Sequence, residues 1–191
     1  MEAGRLILRL YRLRDLPMLH SLLTPEIFVE ASGTELHTGS LLSFYRWIRS
    51  RFQVVYVIEI EENNGSRIVG FVGLYNIKIG KSLWLSLTIF TPEDRSRRYG
   101  TKVLELLLNL LQKNGAAKTV YAEVLETNIT SLGFLRKLGF EVSRRYENSF
   151  ILEKRVLNIV GELPSKEVEN IYINLFNPFE MGGGGLPRMD D

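Results

Sequence analysis

Residues 82–115 read SLWLSLTIFTPEDRSRRYGTKVLELLLNLLQKNG. Leu83, Leu85, Leu87 and Ile89 alternate with Trp84, Ser86, Thr88 and Phe90. A period of two puts each set on its own face of a strand, and both faces are mostly apolar, as in a strand at the centre of a sheet. Thr91-Pro92-Glu93-Asp94 ends the strand, because proline cannot donate to a ladder. Arg95 to Gly100 makes a basic loop. From about Thr101, Val103, Leu104, Leu107, Leu108 and Leu111 repeat at helical spacing, and Gly115 is a fitting stop.

A strand that feeds a helix through a basic, glycine-containing loop suits a phosphate. The first N–H groups of a helix have no partner inside it and carry partial positive charge. An anion docked there gains hydrogen bonds and field together. Arg95, Arg97 and Arg98 add full charges with forked donors. A solvated basic turn would use the same residues, so the loop alone does not decide.

Working outward, residues 53–61 alternate as a strand, and Asn63-Asn64-Gly65 is a hairpin signal. Residues 67–77 return, with Gly70 and Gly73 marking a bulge or a close approach. Three consecutive antiparallel strands then lead into the helix. After Gly115, residues 118–125 (KTVYAEVL) read as a strand reached through a helix, so a parallel partner is natural. Asn128 opens a second helix that closes at Gly139, and residues 140–157 supply two more strands turning near Glu147-Asn148. Gly133 inside that helix implies a packing reason.

At the other end, residues 5–12 read as a first strand. Asp15 is placed to cap a helix bearing Leu16, Leu19, Leu22 and Leu23. Residues 24–39 look irregular, and Leu41, Phe44, Tyr45 and Ile48 mark another helix. Beyond residue 157, Lys166 to Phe176 fits helix or strand equally, and Asn177-Pro178 and Gly182 to Gly185 are linker-like.

The 191 residues carry 24 Lys and Arg against 22 Asp and Glu, a net charge of +2. That length predicts one domain with a real core. The charge balance does not point to nucleic acid, although the arginine cluster keeps that idea as a minor one. With no cysteine, disulfides and thiolate nucleophiles are excluded. His20 and His37 are the only imidazoles, so no metal site is expected. No apolar run approaches the roughly 20 residues of a membrane helix, and the N-terminus lacks a signal-peptide pattern. A soluble cytoplasmic protein without a membrane partner is the default expectation.

Two spaced motifs resemble those of the GNAT acyltransferases. Arg95 and Gly100 occupy the first and last positions of the family's phosphate-binding pattern, Gln/Arg-x-x-Gly-x-Gly/Ala. Asn128, Ser131, Lys137, Gly139 and Phe140 match Asn-x-x-Ala/Ser and Lys-x-Gly-Phe on the later helix. Pro92-Glu93 and Tyr99-Gly100-Thr101 look most like the branch of ribosomal-protein N-terminal acetyltransferases, as does the opening RLILR with Arg14-Asp15-Leu16. The resemblance spans roughly residues 5–157. It implies a GNAT domain over 1–157 and an extension of unknown role over 158–191. One position departs from the pattern: Arg98 stands at the middle glycine, which permits positive φ and close approach to a ligand, whereas arginine is costly there, so the resemblance does not carry the cradle over intact.

The resemblance implies an α+β, three-layer fold: a mixed central sheet, splayed in the middle, with helices on both faces. It implies acetyl-CoA as cofactor, its amide arm lying along Ile89, Phe90 and Thr91 and its pyrophosphate on Arg95, Ser96, Arg97, Arg98, Tyr99, Gly100 and Thr101. Asn128 and Ser131 complete the cofactor site; plain helix capping explains Asn128 equally well. Glu123 matches a glutamate that serves as base in some N-terminal acetyltransferases. It shares a strand face with Tyr121 and Leu125, an apolar setting that would raise its pKa if buried; a structural ion pair is the alternative. Glu30 and Glu35, with Glu26 and His37 nearby, would attract an amine acceptor, or form a solvated acidic loop. The family's usual tyrosine acid falls at Leu135 and its common acidic residue at Leu85. The acceptor implied first is a protein N-terminal amine, then a small-molecule amine such as a polyamine. A non-catalytic binding module and a homodimer both stay open.

Overall fold

Branched aliphatic and aromatic residues recur along most of the strands. The computed structural model describes residues 5–32, 39–62, 65–156 and 171–174. In chain order these form β1 (Arg5–Leu10), a 3-10 turn at Leu13–Asp15, α1 (Leu16–Leu22), α2 (Pro25–Ser32), α3 (Leu41–Arg51), β2 (Val54–Glu62), β3 (Gly65–Lys78) and β4 (Lys81–Ile89). They continue with α4 (Pro92–Ser96), α5 (Tyr99–Lys113), β5 (Ala117–Leu125), α6 (Ile129–Lys137), β6 (Glu141–Tyr146), β7 (Ser149–Arg155) and β8 (Ile171–Asn174). The sheet runs β6-β7-β5-β4-β3-β2-β1-β8. All neighbours are antiparallel except β4 with β5 and β1 with β8.

The strand alternation sorts the core into two layers. Tyr56, Ile58, Ile60, Val72, Leu74, Leu83, Leu85, Val120 and Ala122 face α5 and α6, whose Val103, Leu104, Leu107, Leu111, Leu132 and Leu135 pack on them. Val57 and Phe71 face the other way, against Leu16, Leu19, Phe28, Phe44 and Ile48 from α1, α2 and α3. The three-layer α+β architecture expected from the sequence is therefore present. The apolar character of Leu85 and Leu135 has a plain use as well, since both are buried in the first layer.

The two glycines flagged in β3 mark close approaches. A Cβ at Gly70 would stand 2.2 Å from the Thr88 carbonyl oxygen, and one at Gly73 would stand 2.3 Å from the Phe52 ring. Gly133 does not follow suit: a Cβ there meets nothing within 4 Å, so packing is not its reason.

Several local readings change. Residues 24–39 are not irregular throughout, because α2 occupies Pro25–Ser32. The supposed loop after Thr91 contains α4, whose Thr91 hydroxyl accepts from Asp94 N at 3.2 Å, and α5 starts at Tyr99 rather than Thr101. Asp15 does not cap α1 with its side chain. Its oxygens accept from Arg9 Nη1 at 2.7 Å and Nη2 at 2.8 Å, and from Arg12 N at 2.8 Å. Arg9 Nε also donates to Glu59, so one guanidinium from β1 holds two carboxylates. Ile171–Asn174, in the part read as an extension, is a strand parallel to β1 at the sheet edge. The Asn177-Pro178 and Gly182 to Gly185 stretches lie outside the described residues.

Candidate active site

Parallel pairing between β4 and β5 covers only Lys81–Trp84 on one side and Ala117–Tyr121 on the other. Past those pairs β4 stays bonded to β3 as far as Ile89, and β5 stays bonded to β7 as far as Leu125. The sheet is thus splayed between them, as the resemblance implied. Backbone groups along the two facing edges lack each other as strand partners. An extended amide chain has the donors and acceptors to fill such a gap.

A cavity of about 210 Å³ opens at the gap on the α5 side. Ile89, Arg95, Arg98, Gly100, Thr101, Asn128 and Ser131 come together in its lining. Leu87, Thr88, Thr130, Phe134 and Ile27 join them unforeseen. Leu87 and Thr88 were legible in principle, since any ligand beside Ile89 also runs along the preceding rungs. Ile27 is not, because the eight residues of α2 are too few to announce a helix by periodicity. Phe90, Thr91, Ser96, Arg97 and Tyr99 lie outside this lining. Phe90 is buried in the second core layer and its N–H donates to Val69 O at 3.0 Å. Thr91 caps α4, Ser96 Oγ donates to Glu93 O at 2.6 Å, and exposed Arg97 reaches Tyr99 Oη at 3.4 Å.

The basic loop is held rigidly. Asp94 in α4 is buried, and Arg67 of β3 donates to its two oxygens at 2.7 and 2.8 Å. Those bonds, with the Thr91 hydroxyl, pull the Asp94 carboxyl below its ordinary pKa against the push of burial. Arg95 Nε donates to Ile89 O at 2.9 Å and so ties the loop back to the strand end. Arg98 then takes φ 60° and ψ 23°, the left-handed conformation that the family glycine would supply. The turn survives the departure from the motif, with the strain carried by an arginine. The intrahelical ladder begins with Lys102 N to Arg98 O, so the N–H groups of Tyr99, Gly100 and Thr101 precede it and head the helix. Donor-rich backbone beside arginines fits a diphosphate.

A left-handed non-glycine residue costs about 1–2 kcal/mol, and glycine gives part of that back as freedom in the unfolded chain. Arg98→Gly is accordingly expected to raise the unfolding midpoint of the ligand-free protein by about 2 °C, on the scale set by domains of this size. A lower midpoint in a thermal melt would show that the Arg98 side chain stabilises the loop by more than its backbone strain costs.

Asn128 caps α6, its Oδ1 accepting from Ser131 N at 3.0 Å. Glu123 points from the other face of β5. It is exposed rather than enclosed, and its partner is the Ser149 hydroxyl, which donates to Oε1 at 2.7 Å, not an arginine. Glu123 and Ser149 line a second cavity of about 310 Å³ with Trp47, Tyr75, Leu85 and Ser86. Thr88 lines both cavities, so they adjoin at the splay. Tyr75 belongs to this cleft, and its hydroxyl is raised above its ordinary pKa by burial, with Arg51 opposing and Glu123 adding to the shift. Glu30 lies in α2, and Glu35 and His37 lie outside the described residues. Among the described residues no cluster of acidic or histidine side chains could hold a metal ion, and no helix is long and apolar enough to cross a membrane.

Comparison with known proteins agrees with this geometry. The family model described as "Acetyltransferase (GNAT) domain" matches residues 5–141. A solved domain from Methanocaldococcus jannaschii is similar at 25% identity and TM-score 0.70, over 80% of this chain and 99% of that one. Spermidine N-acetyltransferase from Vibrio cholerae, in complex with CoA and spermine, is similar at 17% identity and TM-score 0.66, over 80% and 96%. The Salmonella typhimurium acetyl transferase that modifies the N-terminal serine of ribosomal protein L7/L12 is similar at 13% identity and TM-score 0.67, over 80% and 95%. A search of curated sequences finds no match. With most of its length matched by the family model, and with the splayed sheet and helix-headed basic loop in place, the chain belongs to the GNAT acetyltransferase family.

Proposed function

We propose that the protein moves an acetyl group from acetyl-CoA to a primary amine, and that the amine is a protein N-terminal α-amine. The observation that carries this is the meeting of two cavities at Thr88, one headed by the basic loop and one holding Glu123. The first gives a place for a cosubstrate whose thioester supplies the activated acetyl group. Arg95, Arg98 and the N–H groups at the start of α5 would hold its phosphates, and Asn128 and Ser131 flank the gap between β4 and β5.

Glu123 takes the proton that the amine sheds as it attacks. Ser149 donates to Oε1, which leaves Oε2 as the oxygen that takes the proton. An exposed carboxylate suits an amine that is already partly neutral. An α-amine titrates near 7.7–8.0, whereas an alkylamine like that of lysine titrates near 10.4. Near neutral pH an appreciable fraction of the first is neutral, and almost none of the second. The polyamine acetyltransferase similar in fold makes a polyamine the competing acceptor. Arg51 in the lining of the Glu123 cleft opposes a polycation there.

Thermal unfolding with and without acetyl-CoA tests the reading. At a ligand concentration about 100 times the dissociation constant, stabilisation of about 2.7 kcal/mol is expected. Thiol release in the presence of short peptides with free N-termini should follow. Absence of any shift at millimolar acetyl-CoA would reject the enzyme reading in favour of a binding module.

A further inference from the structure

The Glu123 cleft does not end at Tyr75. Arg51, Phe52 and Tyr75 are shared with a larger open groove of about 800 Å³ along the same sheet face. Four cationic side chains line that groove, Arg49, Arg51, Lys78 and Arg144, and no acidic residue does. The whole chain carries only +2, so this is a local concentration of charge. None of the four forms an ion pair with another described residue. Structural arginines elsewhere behave differently: Arg9, Arg67 and Arg145 are all paired with carboxylates. The groove floor is aromatic. Trp84 stacks on Tyr121 at 5.2 Å and lies 5.9 Å from Tyr75. The Arg51 guanidinium sits over the Tyr75 ring at 5.1 Å, which orients it.

Resting on the α-amine reading, we propose that this groove selects acceptors with acidic side chains immediately after the reactive N-terminus. The register supports those positions. Glu123 and Tyr121 lie two residues apart on one face of β5, about 7 Å along the strand. An extended peptide covers about 3.3–3.6 Å per residue. With its amine at Glu123, its second and third residues pass over the aromatic floor among the four cations. Arginine forks donate to carboxylates in a bidentate manner, and like charges on a basic acceptor would be repelled at the same place. The groove therefore discriminates by attraction and by repulsion.

The test compares three short peptides, identical except for Ser-Glu-Glu, Ser-Gln-Gln or Ser-Lys-Lys at the N-terminus, by thiol release from acetyl-CoA. The wild-type protein is expected to favour the acidic peptide over the neutral one about tenfold in kcat/KM, with a smaller ratio at high salt, where charges are screened. Reversing two exposed charges, Lys78→Glu with Arg144→Glu, is expected to turn the preference toward the lysine peptide. Equal kcat/KM for the acidic and neutral peptides would overturn the inference and leave the α-amine reading standing. Turnover of spermine with none of any peptide would overturn both.

Discussion

Glu123→Gln lowers kcat about a hundredfold while the affinity for acetyl-CoA stays as it was, if Glu123 receives the amine proton. A positioned general base contributes on the order of 10²–10⁴ in rate. Glutamine keeps the side-chain shape and the oxygen that accepts from Ser149 at 2.7 Å, so the cleft keeps its form. It removes the ability to take a proton. Steady-state thiol release gives kcat, and calorimetry gives the cofactor affinity. A second readout is independent of turnover. The Glu123 charge helps hold the Tyr75 hydroxyl above its ordinary pKa, so the variant should bring that pKa down in an ultraviolet titration. Unchanged kcat together with the lowered Tyr75 value would place Glu123 in the cleft but give the proton to solvent.

The largest stability effect belongs to Arg9. Its side chain and those of Asp15 and Glu59 are 11%, 5% and 14% exposed, so one largely covered cation serves a buried carboxylate and a largely covered one. Burial pushes the Asp15 carboxyl up, but the bonds from Arg9 and Arg12 N outweigh it and leave the group below its ordinary value. Glu59 ends low in the same way: burial raises it, and Ser66 and Arg9 bring it down. Removing one partner of a buried pair costs about 3–5 kcal/mol, because the remaining charge is stranded. Arg9→Ala strands two, so a loss at the upper end of that range is expected at pH 7.

The pH dependence gives the sign. In the wild-type protein both carboxylates have depressed pKa values. Their contribution is present above the unfolded values near 4 and is lost as pH falls through the lower folded values. In Arg9→Ala, burial and mutual repulsion raise them instead. The variant's deficit is then full at pH 7 and shrinks as pH falls through the raised folded values. Urea unfolding of both proteins at pH 7 and pH 5 measures this. A deficit of equal size at both pH values would mean that lost packing, not stranded charge, is the cause.

Some of this was readable in the chain and some was not, for reasons that differ by element. Long alternations announced β2, β3, β4 and β5, and the leucine spacing announced α5, because each pattern persists over many residues. Short helices lack that persistence. α2 and α4 both place proline in their first turn after a threonine, a start signal, but eight and five residues give little periodicity to confirm it. Asp15 stands at the N-cap position of α1, but its side chain serves other donors: nothing in the local pattern says that Arg9, six residues earlier in β1, will reach it. Glu123 was placed on the correct strand face, but alternation cannot tell a covered face from an open one. Its exposure depends on the splay, which is a property of two strands together. At Arg98 the motif marks a position where glycine would permit positive φ, and that an arginine adopts it is a property of the folded loop.

The short seam between β4 and β5 has a mechanical consequence. Only four paired positions join a two-strand-plus-one leaf, β5 with β7 and β6, to the five strands on the other side. Beneath the seam, α5 packs across both parts through one continuous apolar layer. The sheet is therefore two leaves on a common backing, joined along less than half the length of β4 and β5, with Trp84 against Tyr121 as the last rung. Beyond that rung no ladder bond between β4 and β5 sets the width of the mouth. A guest strand of amides would supply the missing rungs and turn two leaves into one plate, so the stiffness of the finished catalyst is shared between the polypeptide and the molecule it carries.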